Sequence, residues 1–152
     1  MTSPRDREHR IRVWWTVYNL DRVFTSKVGL PIMLRDEDID APLPSMENLS
    51  NNDKEDFHDP SYIIAQIKLA KITGEIFNDI YRIPRPHQAN PSEQSVNRIL
   101  KSLYSWRDGL PSNLQFNRQL RPMYSSRSVA SLHLNFGNVS NLPCQLPGFE
   151  LM

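Results

Sequence analysis

The sequence is poor in cysteine and glycine, and both shortages limit its chemistry. Cys144 is the only cysteine among 152 residues, which excludes an internal disulfide and any zinc site built from several thiolates. The five glycines are isolated, so no glycine-rich phosphate loop is present. The four histidines are too widely spaced to form a metal site from local spacing. We therefore expect no enzyme active site and no cofactor in this chain.

An excess of charge and long apolar runs are also absent. The formal net charge of +1 gives no overall field that would attract nucleic acid or anionic lipid. No stretch approaches the roughly 18 apolar residues of a membrane span. Residues 1–12 are charged, unlike the apolar stretch of a signal peptide. We expect a soluble, intracellular protein that does not bind membranes.

Proline, by contrast, is abundant. Twelve prolines remove backbone donors and restrict the residues before them, which should divide the chain into short elements joined by extended loops. The length fits one domain. No segment has a convincing strand pattern, so the sequence predicts an all-α fold, an irregular helical array with long proline-rich and acidic loops.

The first helix is predicted to begin at Ser3-Pro4 and to end near Lys27. The Ser3 hydroxyl can accept a hydrogen bond from a free amide of the first turn. Proline at the first helical position sacrifices no helical hydrogen bond, because an amide there would have no partner within the helix. Gly29 supplies a left-handed cap, and Pro31 opposes continuation. Residues spaced by three and four are expected to form one broad buried side. That side comprises Ile11, Trp14, Trp15, Val17, Tyr18, Arg22 and Phe24. The polar face comprises Arg5, Arg7, Glu8, Arg12, Asn19 and Lys27.

Two polar features of this helix permit more than one interpretation. Basic residues precede Trp14 and Trp15, and the same arrangement occurs in protein grooves that bind nucleic acid. Acidic residues dilute that charge, and the indoles belong to the expected core, so an amphipathic helix with a solvated face is favoured. Arg10 and Asp21 are candidates for a buried polar contact that fixes helix register.

Helical periodicity disappears between residues 29 and 60. Nine carboxylates face only two cations there, so the stretch should repel itself and remain solvated. We predict loop throughout, with a flexible insertion at residues 46–58. The alternation of Asp36, Asp38 and Asp40 resembles a calcium loop only superficially, because Ala41 stands where the sharp turn requires glycine.

Two further long helices are predicted after this loop. The second begins at Asp59-Pro60, a cap followed by proline, and ends before Pro84. The third begins at the capping-box-like Asn90-Pro91 and continues to Gly109.

The pattern weakens toward the C-terminus. An extended connection leads to a short fourth helix marked by Val129, Leu132, His133 and Phe136. Residues 137–152 lack a period and are predicted to be an irregular tail. The proposed domain therefore spans residues 1–136.

Three segments, in order, carry a family resemblance. Residues 10–22 join an arginine-rich start to a Trp-Trp pair and an Asp-Arg step, residues 29–31 form a Gly-x-Pro turn, and residues 36–44 are acidic and end in Pro-Leu-Pro. This ordered combination resembles the fungal-specific transcription factor domain, the regulatory middle homology region of zinc binuclear cluster (Zn(2)-Cys(6)) factors and of xylanolytic-activator-like regulators. The resemblance covers roughly residues 6–136. Its structural signature comprises Arg10, Trp14, Trp15, Asp21, Arg22, Gly29, Pro31, Asp36, Asp38, Asp40, Pro42 and Pro44.

The resemblance implies an all-helical regulatory region of a nuclear transcription factor. Compared with the family, this sequence lacks the zinc cluster that binds DNA, the helices that normally precede the Arg-Trp-Trp segment, and the expected continuation after Phe136. We therefore expect an incomplete helical array that makes no direct contact with nucleic acid. Partners are expected to be other protein segments, namely activation or DNA-binding regions or a coactivator. The sequence gives no oligomeric state. Two alternatives remain open: a helical domain that binds a small molecule between its first two helices, and a non-functional truncated gene product.

Overall fold

The computed structural model describes residues 3–81, 93–115 and 127–142. These residues form five α-helices and two 3-10 turns, and none of them forms a β-strand. The helices are α1 (Pro4–Val28), α2 (Asn51–Glu55), α3 (Ser61–Asp79), α4 (Glu93–Asp108) and α5 (Arg127–Asn141). The 3-10 turns span Asp36–Asp38 and Ser112–Leu114. The all-α prediction is confirmed. The chain divides into two compact units, Met1–Ala70 and Lys71–Met152.

Both ends of α1 lie where the sequence predicts them. The Ser3 hydroxyl accepts a hydrogen bond from the Asp6 amide at 3.1 Å, which satisfies one of the free donors of the first turn. Gly29 has φ 72° and donates its amide to the Thr25 carbonyl at 3.1 Å. A side chain at that position would strain the backbone, so glycine ends the helix.

The core of the first unit lies on one face of α1. Trp15 and Tyr18 are fully buried together with Ile67 and Ala70 of α3. The two aromatic rings meet edge to face with centroids 5.2 Å apart, a preferred geometry for aromatic pairs. Partly buried residues surround this cluster: Ile11, Trp14, Leu34, Ile39, Ala41 and Ile63.

The predicted division of α1 into a broad apolar side and a polar side is wrong at three positions. Val17 and Phe24 are 49% and 55% exposed, whereas Glu8 is only 6% exposed. Spacings of three and four fit apolar rows on both sides of this helix, so periodicity alone could not choose between them. The buried side is the one whose polar groups bond the segment that follows α1.

That segment, residues 29–58, is here called the return segment because it runs back along α1. Its predicted loop assignment is wrong at residues 51–55, which form α2. The Ser50 hydroxyl caps this turn by accepting from the Asp53 amide at 3.2 Å, and the neighbouring Leu49 is buried. A Ser-x-x-Asp cap is a local signal that the excess of carboxylates obscured. The interpretation of residues 46–58 as a flexible insertion stays a prediction.

In the second unit α4 and α5 pack through apolar side chains. Trp106 stacks on Phe136 with ring centroids 5.4 Å apart, and the His133 ring nitrogen Nε2 lies 2.9 Å from the Leu114 carbonyl oxygen. The predicted third helix is confirmed as α4, while its expected Asn90-Pro91 start falls outside the described residues. Buried positions in this unit include Val96, Ile99, Leu103, Leu110, Leu114, Val129, Leu132 and Val139.

The predicted start of an irregular tail at Gly137 is wrong. The fourth predicted helix continues as α5 to Asn141. Glycine weakens a helix interior by about 1 kcal/mol, but Val139 beyond it is only 5% exposed. Burial of that side chain offsets the cost and extends the helix. Residues 143–152 of the predicted tail lie outside the described residues.

Candidate interaction site

An ion-pair network around the buried guanidinium of Arg22 joins α1 to the return segment. One guanidinium nitrogen of Arg22 lies 2.5 Å from the Asp21 carboxylate, and the other lies 3.1 Å from the Asp36 carboxylate. The second nitrogen also donates to the Leu34 carbonyl at 2.8 Å. The Tyr18 hydroxyl donates to Asp36 at 2.5 Å. We call Tyr18, Asp21, Arg22 and Asp36 the Arg22 clamp.

The clamp also binds the backbone of the return segment. The Asp21 carboxylate accepts from the amides of Met33 and Leu34 at 3.3 and 3.5 Å. Residues 33–36 are thus bonded to Asp21 and Arg22 through four groups: the Met33 amide, the Leu34 amide, the Leu34 carbonyl and the Asp36 carboxylate. The sequence suggested that Asp36 belongs to a solvated connector. In the structure its carboxylate is instead bonded to side chains of α1.

Because the Arg22 guanidinium is buried, the clamp requires its partners in well-defined positions. The Arg22 side chain is 2% exposed, and a buried charge is tolerated only when its partners are well placed. The guanidinium also lies over the Tyr18 ring, 4.4 Å from the centroid. Burial, and then the hydrogen bond to Asp36, raises the pKa of the Tyr18 phenol above its usual range. The phenol consequently stays a donor at pH values where an exposed tyrosine would already ionise.

A second set of contacts lies toward the N-terminus of α1. The Glu8 carboxylate accepts from the Arg12 guanidinium at 2.7 Å and from the Ser45 amide at 3.2 Å. Arg12 also donates to the His58 carbonyl at 2.8 Å. Between the two sets, the Trp15 indole donates to the Pro42 carbonyl at 2.8 Å. Three levels of α1, namely the Glu8–Arg12 pair, Trp15 and the Arg22 clamp, thus bind the return segment.

The structure brings some of the predicted signature residues together and leaves others apart. Trp15, Asp21, Arg22 and Asp36 meet around the return segment, and the Pro42 carbonyl joins them. Among the other signature residues, Pro44 is buried, Trp14 is half-buried, Gly29 and Pro31 form the turn after α1, and Arg10, Asp38 and Asp40 are exposed. The exposed carboxylates bind nothing among the described residues.

Sequence reasoning missed Glu8 and Arg12 as binding groups. It placed both on the solvated face, although their i,i+4 spacing is the signal of an ion pair along one helix face. It also treated the two indoles as equivalent. Trp15 is 1% exposed and hydrogen bonded, whereas the Trp14 indole nitrogen is buried without a partner among the described residues.

The opposite face of α1 is apolar and open. Its exposed residues form a row with spacings of four, three, four and four, which we call the outer stripe. The outer stripe comprises Val13, Val17, Leu20, Phe24 and Val28. Each side chain is 49 to 63% exposed. A row of this length on a helix is a surface that a second protein element can cover.

In the described part of the chain, side-chain packing occupies the place predicted for a small-molecule pocket. Where the small-molecule alternative placed a pocket, Trp15 and Tyr18 pack with Ile67 and Ala70. A polar surface cleft of about 380 Å³ instead lies between Arg5, Asp6 and His9 of α1 and residues 56–57. Within residues 3–81, 93–115 and 127–142, no three acidic, histidine or cysteine side chains are grouped to hold a metal ion.

Comparison with known proteins decides the family. The family model described as the fungal specific transcription factor domain matches residues 2–108. The chain belongs to this family. Members and relatives of the fungal specific transcription factor domain are named as transcriptional regulators, not as enzymes. The chain is accordingly a regulatory region of a fungal transcription factor, as the resemblance implied.

Three relatives illustrate the match. A transcriptional regulatory protein of Schizosaccharomyces pombe is 30% identical over 111 residues, covering 72% of this chain and 14% of that protein. The transcriptional activator protein acu-15 of Neurospora crassa is 30% identical over 118 residues, covering 72% and 12%. Activator of stress genes 1 of Saccharomyces cerevisiae is 30% identical over 147 residues, covering 90% and 15%. The chain thus spans about a seventh of the length of such relatives.

No solved structure matches this chain. Among the helices that the structure describes, none is both long and apolar enough to cross a membrane.

Proposed function

We propose that this chain acts in the nucleus as a protein-interaction segment, contacting activation or DNA-binding regions of its transcription factor or a coactivator. One observation carries the proposal: α1 binds the return segment with its inner face while its outer stripe stays open. A helix that is held rigidly on one side and apolar on the other is suited to receive a partner. The twelve signature residues are proposed to serve this architecture rather than to contact a ligand.

Direct DNA binding is not part of the proposal. Arg12 and Arg22 are engaged in contacts within the chain. The remaining charge on α1 is mixed, and Arg5 is paired with Asp56 at 2.9 Å. Nucleic-acid recognition requires a basic face that is free to neutralise phosphates.

A reporter assay tests the proposal. The full chain is inserted between a heterologous DNA-binding domain and an activation segment, and reporter output is compared with the fusion that lacks it. We expect output to change, and the Arg22→Ala variant to weaken the change because the return segment loses its attachment. Arg98→Ala, an exposed arginine on α4, is the matched control.

Two results would contradict this function. One is reporter output that the inserted chain leaves unaltered at equal protein level. The other is tight, sequence-selective binding of DNA by the chain alone in a gel-shift assay.

A further inference from the structure

The outer stripe has the dimensions of a helix-docking surface. It extends from Val13 to Val28, about 23 Å at 1.5 Å per residue, and its residues are roughly half exposed. The spacings are all of three or four residues, which is how one helix presents a continuous row to another. Isolated exposed apolar residues are normal on a protein, but a row of five on one helix is not.

The Arg22 clamp holds a further exposed apolar residue, Met33, in the segment that follows α1. The Asp21 carboxylate accepts a hydrogen bond from the Met33 amide at 3.3 Å. This bond holds the Met33 backbone beside Asp21 of α1. Met33 is 81% exposed, and Leu30 in the same turn is 51% exposed. Methionine adapts its shape to a partner more readily than branched residues do. The contacts between α1 and the return segment therefore fix the backbone that carries this exposed apolar residue.

The charges beside the stripe are of one sign. Arg10 and Lys27 are exposed, and neither forms an ion pair with a residue that the structure describes. They lie about 25 Å apart along the helix, near the two ends of the stripe. Asp21 is bound to Arg22, and Asp6 lies a full turn before Arg10. Between residues 10 and 28 the free charges are thus cationic.

This charge pattern discriminates between occupants. In an antiparallel pair of α1 helices, Arg10 of one copy would approach Lys27 of the other, and in a parallel pair each cation would meet itself. Like charges brought together oppose association. A helix with carboxylates beside its apolar row would instead place opposite charges at both ends.

We propose that the outer stripe docks an amphipathic α-helix of a partner protein whose apolar face is flanked by Asp and Glu side chains. This inference rests on the proposed function as an interaction segment and names the class of partner. Apolar contacts with Leu20 and Phe24 supply affinity, and Arg10 and Lys27 select the acidic flank.

The test uses two synthetic helical peptides and the full chain. Both peptides carry the same leucine row, flanked by Glu in one and by Lys in the other, and binding is followed by fluorescence anisotropy. We expect the Glu peptide to bind about threefold to tenfold more tightly, the effect of two surface ion pairs. The difference should vanish in 1 M salt, where screening acts within about 3 Å.

Three variants separate the contributions. Phe24→Ser should weaken binding of both peptides about tenfold, because it removes a large apolar contact. The double variant Arg10→Glu with Lys27→Glu should reverse the preference in favour of the Lys peptide. Lys101→Glu, an equal charge change at an exposed position on α4, should leave the preference intact. Circular dichroism confirms that each variant is folded.

Several outcomes overturn the inference: equal binding of both peptides, absence of binding, binding that Phe24→Ser leaves undiminished, or a dimer in sedimentation equilibrium that Phe24→Ser abolishes. If peptide binding fails while the reporter effect persists, only the identity of the partner is wrong. If the inserted chain also leaves the reporter unaltered, the interaction function itself fails.

Discussion

The α1 region and the α4–α5 region are held together in different ways. Along α1, buried or half-buried charged and polar groups bind the return segment, with Glu8 and Arg22 6% and 2% exposed. Between α4 and α5 the buried groups are apolar, and Trp106 stacks on Phe136. The ion pair between Arg98 of α4 and Asp79 is exposed on both partners.

This difference separates stability from specificity. The stabilising free energy of apolar burial is roughly proportional to the area removed from water and depends little on direction. A buried guanidinium between two carboxylates accepts few arrangements, because each lost partner leaves an uncompensated charge. We infer that the α4–α5 packing chiefly stabilises, whereas the α1 contacts fix one position of the return segment and thus the apolar surface beside it.

The largest expected effect comes from breaking the Arg22 clamp. Arg22→Ala leaves the carboxylates of Asp21 and Asp36 without their cation, so we expect a loss of about 3–5 kcal/mol in the free energy of unfolding. Arg98→Ala should cost less than about 1 kcal/mol, because that pair is solvated. Urea denaturation measures both values. Equal losses in the two variants would erase the distinction between the regions.

A somewhat smaller loss is expected from the apolar region. Leu103 is 1% exposed on α4, and Leu103→Ala should cost about 2–4 kcal/mol through lost burial and a residual cavity. The two variants, Arg22→Ala and Leu103→Ala, should differ in which backbone amides lose protection. In hydrogen exchange, the Met33 and Leu34 amides should lose protection in Arg22→Ala but keep it in Leu103→Ala beyond the general loss of stability. Selective deprotection of both amides in Leu103→Ala would contradict the separation.

How much of this arrangement could be predicted from sequence follows from the range of each signal. The ends of α1 and the body of α4 were predictable because caps, proline and helical spacing act over a few residues. Arg10 and Asp21 were both candidates for a buried polar contact; Asp21 pairs with the buried Arg22, whereas Arg10 is exposed. The pairing of Arg22 with Asp36 was not predictable, since Asp36 lies 14 residues beyond Arg22 and only the folded return segment brings them together.

The errors have a common physical origin. Val17 and Phe24 fit a helical row as well as Trp15 and Tyr18 do, and apolar periodicity does not indicate which row is buried. Charge composition likewise predicted a solvated acidic segment, although single carboxylates within it serve individual donors. Asp36 is bound, whereas Asp38 and Asp40 are exposed. Such residue-by-residue differences require tertiary contacts to be known.

The Tyr18 phenol gives a third, smaller effect that depends on pH. Its folded pKa is raised above 10, so the stabilisation is fully present below about pH 10 and is lost as pH rises, because the unfolded phenol ionises first. Tyr18→Phe should cost about 1–2 kcal/mol at pH 7, from the lost hydrogen bond to a carboxylate. It should also reduce the fall in stability between pH 9 and 11.

Denaturation series at several pH values measure that slope. Leu103→Ala is the control, since it lowers stability without touching the phenol and should keep the alkaline slope of the parent chain. A Tyr18→Phe variant with an unchanged alkaline slope would exclude the phenol as its source.

The smallest expected effect concerns a carboxylate outside both regions. Asp59 is exposed and accepts from the Ser61 amide at 2.9 Å, just before α3. The Ser61 hydroxyl, and then its amide, lowers the pKa of this carboxyl, so its contribution is present above about pH 4 and is lost as pH falls. Asp59→Ala should cost less than about 1 kcal/mol at pH 7, against no measurable loss for the exposed Asp40→Ala. If Asp59→Ala instead matched Arg22→Ala in denaturant, burial would not explain why the clamp matters, and the contrast between buried and solvated carboxylates would have to be abandoned.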